Sequence, residues 1–417
     1  MKKDIDLLIA GAAQVLSLDE RQSACAKSDA EAAELGTIED GAVAISAGRI
    51  VEVGRARELQ AKYEPRERFD AKGGVVSPGL IDPHTHLVFA GSRHREYGLR
   101  LRGATYREIL EAGGGIHSTV EATRAATEEE LVELALPRLA AHRSFGATTI
   151  EVKSGYGLDV ETELKMLRAI KKLGERQPVR LVPTYLGGHV VPREFLTRRG
   201  EYVRLMIEKV IPQVAGEGLA EACDVYVDEG AFSLGEGRLI LEAASAAGLR
   251  PKIHAGQFSD QGGAELIAEL GGLSADHLEC ISDQGIAAMA RAGAVANLLP
   301  GAAFSLRSKF PNGRRLIDAG VKVAVATDDN PGTSRTENLP LLGAMAATQM
   351  GLTASEAWKA MTVHAAKALG KEASIGALKP GMLADIAIFS IPDFRVFLYH
   401  FGTNHLITTV IGGRIIA

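Results

Sequence analysis

The stretch VVSPGLIDPHTH, residues 75–86, ends an apolar run in two histidines, His84 and His86, which are separated by one residue. Side chains at this spacing on a β-strand point to the same face, so both imidazoles could bind one metal ion from a rigid base. The pair alone is equally well explained by two histidines that share a strand face by chance. The rest of the chain has to decide between these interpretations.

Three later polar residues follow apolar segments in the same way. His254, His277 and Asp328 each stand at the carboxyl end of a short apolar segment. In a barrel of parallel strands, all such ends lie on one rim, where active sites form. Because imidazole and carboxylate groups are good ligands for a transition metal, the sequence predicts a metal site on that rim.

The order of the apolar segments predicts two domains. Between residues 74 and 370, strand candidates alternate with longer helical patterns, which is typical of an α/β fold, here a (β/α)8 TIM barrel. The flanking segments, 1–73 and 371–417, contain alternating apolar residues with Gly-rich turns, and we expect them to form one small β-sandwich domain. The expected barrel strands lie near Val75–His86, Ala147–Ser154, Arg180–His189, Cys223–Phe232, Pro251–Ala255, Ser274–Glu279, Val295–Pro300 and Val321–Asp328.

The composition limits the kinds of molecule that this protein is expected to bind. The 47 basic and 52 acidic residues are interspersed, which argues against binding to nucleic acid or to an anionic membrane. No apolar stretch has the length of about 18 residues that indicates a transmembrane helix. Asp4 and Asp6 interrupt the basic segment that a signal peptide would need, and the three cysteines are scattered, as in proteins of a reducing compartment. We expect a cytoplasmic homodimer that acts on a small molecule.

The polar strand ends, from the His-Thr-His motif on strand one to Asp328 on strand eight, resemble those of the amidohydrolase superfamily. Within that order, several short motifs resemble the imidazolonepropionase family. The resemblance implies hydrolysis of 4-imidazolone-5-propanoate to N-formimidoyl-L-glutamate, a step of histidine degradation, with one zinc or iron ion. The motifs are DPHTH at 82–86, FAGSR at 89–93, GGGI at 113–116, KSGYG at 153–157 and TDDNPG at 327–332.

The residues suit this chemistry. The imidazoles of His84, His86 and His254, with the carboxylate of Asp328, form a ligand set appropriate to Zn²⁺ or iron with room for water. Such a metal lowers the pKa of bound water towards neutrality.

Many superfamily members hold two metal ions through a carboxylated lysine on strand four. The segment Cys223–Gly230, which is strand four here, contains no lysine. One metal ion per chain is therefore expected. We interpret Lys153 as a charge at a strand end or a contact for an anion.

Three further residues receive roles in the reaction. His277 is placed to orient or deprotonate the water together with Asp328, and His189 could donate to the oxyanion that develops on the substrate carbonyl. Arg93 offers a planar fork that matches the propanoate arm, although a solvated loop arginine would look the same in sequence.

Other residues are expected to contact the substrate. Backbone N–H groups around Asn330, Gly332 and Thr333 could hold the carboxylate that ring opening creates. Gln257 can hydrogen-bond the imidazolone ring as donor and acceptor. The family resemblance adds the hydroxyls of Tyr106 and Tyr156.

Two alternatives remain open at this point. Deaminases of the guanine or cytosine type share the four metal ligands, but they need a glutamate three residues after the strand-five histidine, where this chain has Gln257. An amide cannot carry the proton that deamination requires. A non-catalytic barrel is the other alternative, and it would be expected to lack a ligand or the strand-six histidine, none of which is missing here.

Overall fold

The computed structural model describes residues 2–19, 21, 29–104, 108 and 114–416. They form two eight-stranded sheets. One is a parallel sheet that closes into a barrel, and the other, here called the terminal sheet, comes from the two ends of the chain. The predicted fold class, a (β/α)8 barrel with a separate β-structure made from both termini, is confirmed.

The chain begins in the terminal sheet. The long first strand pairs antiparallel with the second strand. It also pairs in parallel with the fourth strand along its first half and with the fifth strand along its second half. These strands are β1 (Lys3–Leu16), β2 (Thr37–Ser46), β3 (Arg49–Arg55), β4 (Tyr63–Asp70) and β5 (Val75–Pro78).

The barrel sheet runs in chain order, each strand pairing in parallel with the next. Its strands are buried almost throughout, as expected where helices cover the outside of a parallel sheet. All carboxyl ends therefore lie on one rim. The strands are β6 (Leu80–Asp82), β7 (Ala147–Lys153), β8 (Arg180–Gly188), β9 (Ala222–Val227), β10 (Arg250–Ala255), β11 (Ser274–His277), β12 (Val295–Leu298) and β13 (Val323–Val325).

The C-terminal segment returns to the terminal sheet. Its three strands are β14 (Ile386–Phe389), β15 (Leu406–Ile411) and β16 (Arg414–Ile416). They pair antiparallel with one another, and β14 also pairs antiparallel with β5, so the two ends of the chain share one sheet. Buried aliphatic side chains, such as Ile9, Val43 and Ile386, form its core.

Helices cover the barrel and fill the connections. Capping boxes at Thr127 and Thr353 satisfy the first backbone N–H groups of two of them. Within the described ranges, no helix is long and apolar enough to cross a membrane. The helices are α1 (Ala30–Glu34), α2 (Ala56–Lys62), α3 (His94–Leu101), α4 (Ile116–Ala125), α5 (Glu128–Ser144), α6 (Val160–Glu175), α7 (Arg199–Leu205), α8 (Ile211–Gly216), α9 (Leu234–Ala246), α10 (Gly263–Glu269), α11 (Asp283–Ala292), α12 (Pro300–Leu306), α13 (Gly313–Asp318), α14 (Leu339–Met350), α15 (Ala354–Ala360), α16 (Val363–Ala368) and α17 (Val396–Tyr399), with a π-helical turn at Met206–Val210 between α7 and α8.

The predicted first barrel strand, Val75–His86, is wrong in its first half. β5 belongs to the terminal sheet, and the barrel starts at β6. Gly79 lies where the chain passes from the terminal sheet into the barrel. A Cβ atom on this residue would come 2.1 Å from Oγ1 of Thr148, so only glycine lets the chain pass so close to β7. The domain boundaries near residues 73 and 370 stay a prediction.

The barrel closes between the segments that follow β6 and β13. Thr85 and Asp329 form a parallel bridge there. The N–H of Asp328 donates to the carbonyl of His84 at 3.0 Å, and the N–H of His86 donates to the carbonyl of Asp329 at 2.8 Å. The backbone that closes the barrel therefore fixes the His-Thr-His motif beside Asp328.

Candidate metal centre and active site

His84, His86 and Asp328 bring one ligand atom each to a common point. Nε2 of His84 lies 3.2 Å from Nε2 of His86 and 3.4 Å from Oδ1 of Asp328. Nε2 of His86 lies 3.5 Å from the same oxygen. Distances of this size are those between ligands that each lie roughly 2 Å from one metal ion.

His254 completes the group. Its ring centroid lies 4.5 Å from that of His84, and its buried Nε2 has no hydrogen-bond partner among the described residues. A buried ring nitrogen without a partner is costly unless something else binds it. The four predicted ligands thus lie together, and the orphaned nitrogen fits a metal ion.

Burial keeps the three imidazoles of this group neutral and disfavours the charged form of Asp328 unless a cation binds. It lowers the pKa of His84, His86 and His254 well below the usual value, so these imidazoles are neutral and carry free lone pairs. Burial also raises the pKa of Asp328 to about 7, because the carboxylate has lost its water. A divalent cation would supply the missing counter-charge. The donor set therefore fits one zinc or iron ion.

Two site residues have strained backbones. His277 and Asp328 adopt left-handed conformations, with φ of 82° and 52°. Such a conformation costs a non-glycine residue on the order of 1–3 kcal/mol and persists where the surroundings enforce it, often at functional sites. His277 is the last residue of β11, and Asp328 lies three residues beyond the end of β13, so the strain lies on the rim that carries the ligands.

His277 is the predicted proton carrier, and it lies beside Glu279, which was not predicted as a site residue. Its ring centroid lies 5.4 Å from that of His254. Nδ1 of His277 lies 3.8 Å from a carboxylate oxygen of Glu279. Burial lowers the pKa of His277, but the neighbouring Glu279 carboxylate outweighs it, and the net effect raises the pKa. Nδ1 of His277 therefore faces a carboxylate beyond hydrogen-bond distance and has no hydrogen-bond partner among the described residues.

His189 lies beside the ligands, but its hydrogen bond disagrees with the predicted role. Its ring stacks on that of His86, with centroids 5.1 Å apart. Nδ1 lies 3.0 Å from the carbonyl oxygen of Gly155, which can only accept, so Nδ1 carries the proton. Burial lowers the pKa of His189 to about 4, and the ring is neutral. Nε2 is then an acceptor, so the expected donation to an oxyanion is unsuited to this geometry.

The side chain of Arg93 is fixed by an ion pair and is largely shielded from solvent. Its Nε donates to Glu96 at 2.8 Å, and the side chain is only 11% exposed. A Cβ atom on Gly332 would lie 2.2 Å from an outer nitrogen of this guanidinium, so the absence of a side chain at Gly332 makes room for Arg93. The guanidinium therefore lies on the loop after Asp328, as the prediction of a shared substrate site requires.

Two more predicted substrate contacts lie in this region. The buried ring of Tyr156 has its centroid 5.4 Å from that of His189. The side-chain oxygen of Gln257 accepts a hydrogen bond from the hydroxyl of Tyr226 at 2.7 Å. Tyr106 lies outside the described residues.

The loop after Asp328 differs from the prediction in one respect. The backbone N–H groups of Gly332 and Thr333 both donate to Oδ1 of Asn330, at 2.8 Å each. The side-chain amide of Asn330 donates to the carbonyl of Asp328 at 2.6 Å. The expectation that these N–H groups are free for an anion is wrong, because an asparagine side chain has already taken them.

A cavity of about 1220 Å³ opens beside this loop. Arg93, Gly332 and Thr333 line one wall, together with apolar side chains such as Phe89 and Met345. Arg100, Arg138 and Arg335 also line it, and Arg335 is paired with Asp329 as Arg93 is with Glu96.

Two carboxylates beneath the ligands were not predicted from the sequence. Asp276 Oδ2 lies 2.6 Å from Nδ1 of His84, and Asp224 Oδ1 lies 3.1 Å from Nδ1 of His254. A signal was present, because Asp276 directly precedes His277 and Asp224 stands in a strand that is otherwise apolar. Both lie on strands that were predicted from apolar content alone.

Comparisons with known proteins agree with this geometry. Residues 93–417 match the Amidohydrolase family, and residues 41–63 match the imidazolonepropionase-like composite domain of bacteria. The imidazolonepropionase of Geobacillus kaustophilus is 50% identical over 92% of this chain and 91% of its own length. That of Bacillus velezensis is 45% identical over 99% and 97%.

Solved structures share the fold at low identity. A zinc-bound adenosine deaminase from Xanthomonas campestris has a TM-score of 0.75 at 18% identity, covering 100% of this chain and 93% of its own. A 5-methylcytosine deaminase from Klebsiella pneumoniae has a TM-score of 0.74 at 15% identity, covering 98% and 97%. These likenesses concern the fold alone. The full-length relatives at 45–50% identity decide the family, and the chain belongs to the imidazolonepropionase family of amidohydrolases.

Proposed function

We propose that this chain hydrolyses 4-imidazolone-5-propanoate to N-formimidoyl-L-glutamate, a step of histidine degradation. The observation that carries the proposal is the identity of 43–50% with imidazolonepropionases over nearly the whole chain. The neutral imidazoles and the buried carboxylate of Asp328 on the barrel rim support a hydrolytic site.

One zinc or iron ion per chain is part of the proposal. His84, His86, His254 and Asp328 would hold it. When bound, such an ion lowers the pKa of a water molecule and polarises a carbonyl.

His277 would move the proton. Because Nδ1 faces Glu279, Nε2 is the atom that takes a proton from the attacking water and returns it to the ring nitrogen that leaves. Asp328, within the same buried group, would share the orientation of that water. Ring opening breaks the C–N bond, adds hydroxyl to the carbonyl carbon and leaves the proton on nitrogen.

His189 would act as an acceptor. Its protonated Nδ1 is held by the carbonyl of Gly155, so Nε2 can accept a hydrogen bond from an N–H group of the imidazolone ring. Stacking on His86 fixes the plane of this ring. This replaces the role of oxyanion donor that the sequence suggested.

The remaining contacts would fix the substrate. The guanidinium of Arg93 would bind the propanoate through its outer nitrogens, since Nε is already taken by Glu96. Gln257 would hydrogen-bond the ring, held by Tyr226. Further contacts are proposed for Tyr106 and Tyr156, whereas Asn330 would shape the loop by accepting from the N–H groups of Gly332 and Thr333.

We also propose a cytoplasmic location and a homodimer. The scattered cysteines support the first, and Cys223 and Cys280 form no disulfide in the described part of the chain. Exposed aromatic side chains at Phe304, Tyr399 and Phe401 would support association of two copies. Sedimentation of the purified protein would distinguish a dimer from a monomer.

The activity itself is tested with freshly generated 4-imidazolone-5-propanoate. Loss of its ultraviolet absorbance should accompany formation of N-formimidoyl-L-glutamate, identified by mass. Guanine and cytosine should release no ammonia, because Gln257 cannot deliver the proton that deamination needs. Ammonia release without N-formimidoyl-L-glutamate would overturn the proposal in favour of a deaminase.

A further inference from the structure

Beneath the predicted ligands, the barrel interior contains a layer of charged side chains, here called the buried charge layer. It comprises Glu151, Lys153, Asp224, Lys252 and Asp276, all with no exposed surface. Buried charges, even when paired, seldom stabilise a protein more than the apolar side chains that usually fill this space in barrels. Stability alone therefore does not explain why these charged side chains are buried here.

Lys153 stands at the centre of the layer. Its Nζ donates to Oδ2 of Asp224 at 2.7 Å, and it lies 2.9 Å from Glu151 and 3.5 Å from Asp276. One ammonium group thus contacts three carboxylates. Lys252 contacts the other oxygen of Glu151 at 2.9 Å and donates to the carbonyl of Pro83 at 3.2 Å.

Two of these carboxylates reach the ligands. Asp276 contacts Nδ1 of His84, and Asp224 contacts Nδ1 of His254. A carboxylate beside Nδ1 keeps the proton on that nitrogen and leaves the lone pair of Nε2 free for a metal ion. His86 differs, because its buried Nδ1 has no partner among the described residues.

We propose that Lys153 is a positioning residue of the metal centre, which acts by holding Asp224 and Asp276 against His254 and His84. Its ammonium also fills the space between three carboxylates, where a second cation would otherwise be favoured. This inference rests on the proposed metal-dependent function. It concerns metal binding, so it can be tested without turnover.

The first test is the Zn²⁺ affinity of Lys153→Met, measured by competition with a coloured chelator. An ammonium repels a nearby metal ion, so its removal would tighten Zn²⁺ binding if charge alone mattered. The inference predicts the opposite sign, a weakening of about 10–100-fold, the range found for partners that orient metal ligands. Lys171→Met, an exposed lysine of α6, is the matched control and should change nothing.

The Co²⁺-loaded protein gives a second readout. Its visible absorption reports the ligand geometry, and it should change in Lys153→Met while it stays native in Lys171→Met. Unchanged or tighter Zn²⁺ binding with a native Co²⁺ spectrum would overturn the inference, even if Lys153→Met were less stable, because the role would then be merely structural.

Asp276→Asn provides the test if Lys153→Met fails to fold. It keeps the size of the side chain and removes the charged acceptor of His84, so Zn²⁺ binding should also weaken by about 10–100-fold. Native affinity in this variant would contradict the inference.

The native protein offers an independent measurement. In nitrogen NMR of the Zn²⁺-loaded protein, His84 and His254 should carry the proton on Nδ1 and bind Zn²⁺ through Nε2. Binding through Nδ1 would contradict the inference whatever the variants do. A native protein that binds Zn²⁺ in this way but does not hydrolyse 4-imidazolone-5-propanoate would refute the proposed function alone.

Discussion

The cores of the terminal sheet and of the barrel differ in character. Aliphatic side chains such as Val43, Ile45 and Ile388 fill the former. The centre of the barrel holds Lys153 and Lys252 among carboxylates, all fully buried. Buried ion pairs seldom stabilise a protein more than apolar packing would. The terminal sheet is therefore built for stability, whereas the barrel interior keeps charges for the site above it.

The largest expected effect concerns Asp328. Asp328→Ala removes the sole anionic ligand, so both metal content and turnover should fall below detection. Elemental analysis and the substrate assay measure these two quantities. Asp40→Ala is a matched control, because Asp40 is an exposed aspartate with a similarly left-handed φ of 49°. Bound metal and activity in Asp328→Ala would refute its assignment as a ligand.

His277→Ala should separate chemistry from metal binding. Loss of the proton carrier is expected to reduce kcat by about 10²–10⁴-fold, as for general acid–base residues. Metal content should stay native, because His277 is not among the proposed ligands. His400→Ala, an exposed histidine, serves as the control. Full activity in His277→Ala would mean that another group moves the proton.

Arg93→Met tests recognition of the propanoate arm. The substitution keeps much of the apolar stem and removes the charged fork, so kcat/KM should fall by the equivalent of roughly 2–4 kcal/mol. Arg95→Met changes an exposed arginine two residues away and should have little effect. Similar losses in both variants would show that general electrostatics, rather than one contact, holds the substrate.

The smallest effect on catalysis is expected in the terminal sheet. Ile45→Ala leaves a cavity in its core and should lower the free energy of unfolding by about 2–5 kcal/mol. The folded protein should keep native kcat/KM and metal content. Val51→Ala, on a half-exposed position of β3, should change stability by less than about 0.5 kcal/mol. A loss of metal in Ile45→Ala would break the separation between the two cores.

The site residues that could be predicted from the sequence are those at the carboxyl ends of the barrel strands. His84, His86, His254 and Asp328 follow apolar segments, and parallel strands bring such ends to one rim. The buried charge layer was not predicted, since fully buried parallel strands are expected to be apolar. Its trace is a two-residue spacing, in which Lys252 precedes His254 and so shares its inward face.

Two further differences from the prediction each depend on a single tertiary contact. The division of the predicted first strand depends on the close approach of Gly79 to Thr148, a contact between residues far apart in sequence. The direction of the hydrogen bond to His189 depends on which group faces Nδ1, and that group is the carbonyl of Gly155. Neither contact leaves a pattern of hydropathy or spacing.

Titration of metal-free protein with Zn²⁺, monitored by turnover of 4-imidazolone-5-propanoate, shows whether one metal ion on the barrel rim supports hydrolysis. Turnover should be absent at the start, rise in proportion to added metal and level at about one ion per chain, with N-formimidoyl-L-glutamate as the product. Full turnover without metal, or a plateau reached only near two ions per chain, would contradict this prediction.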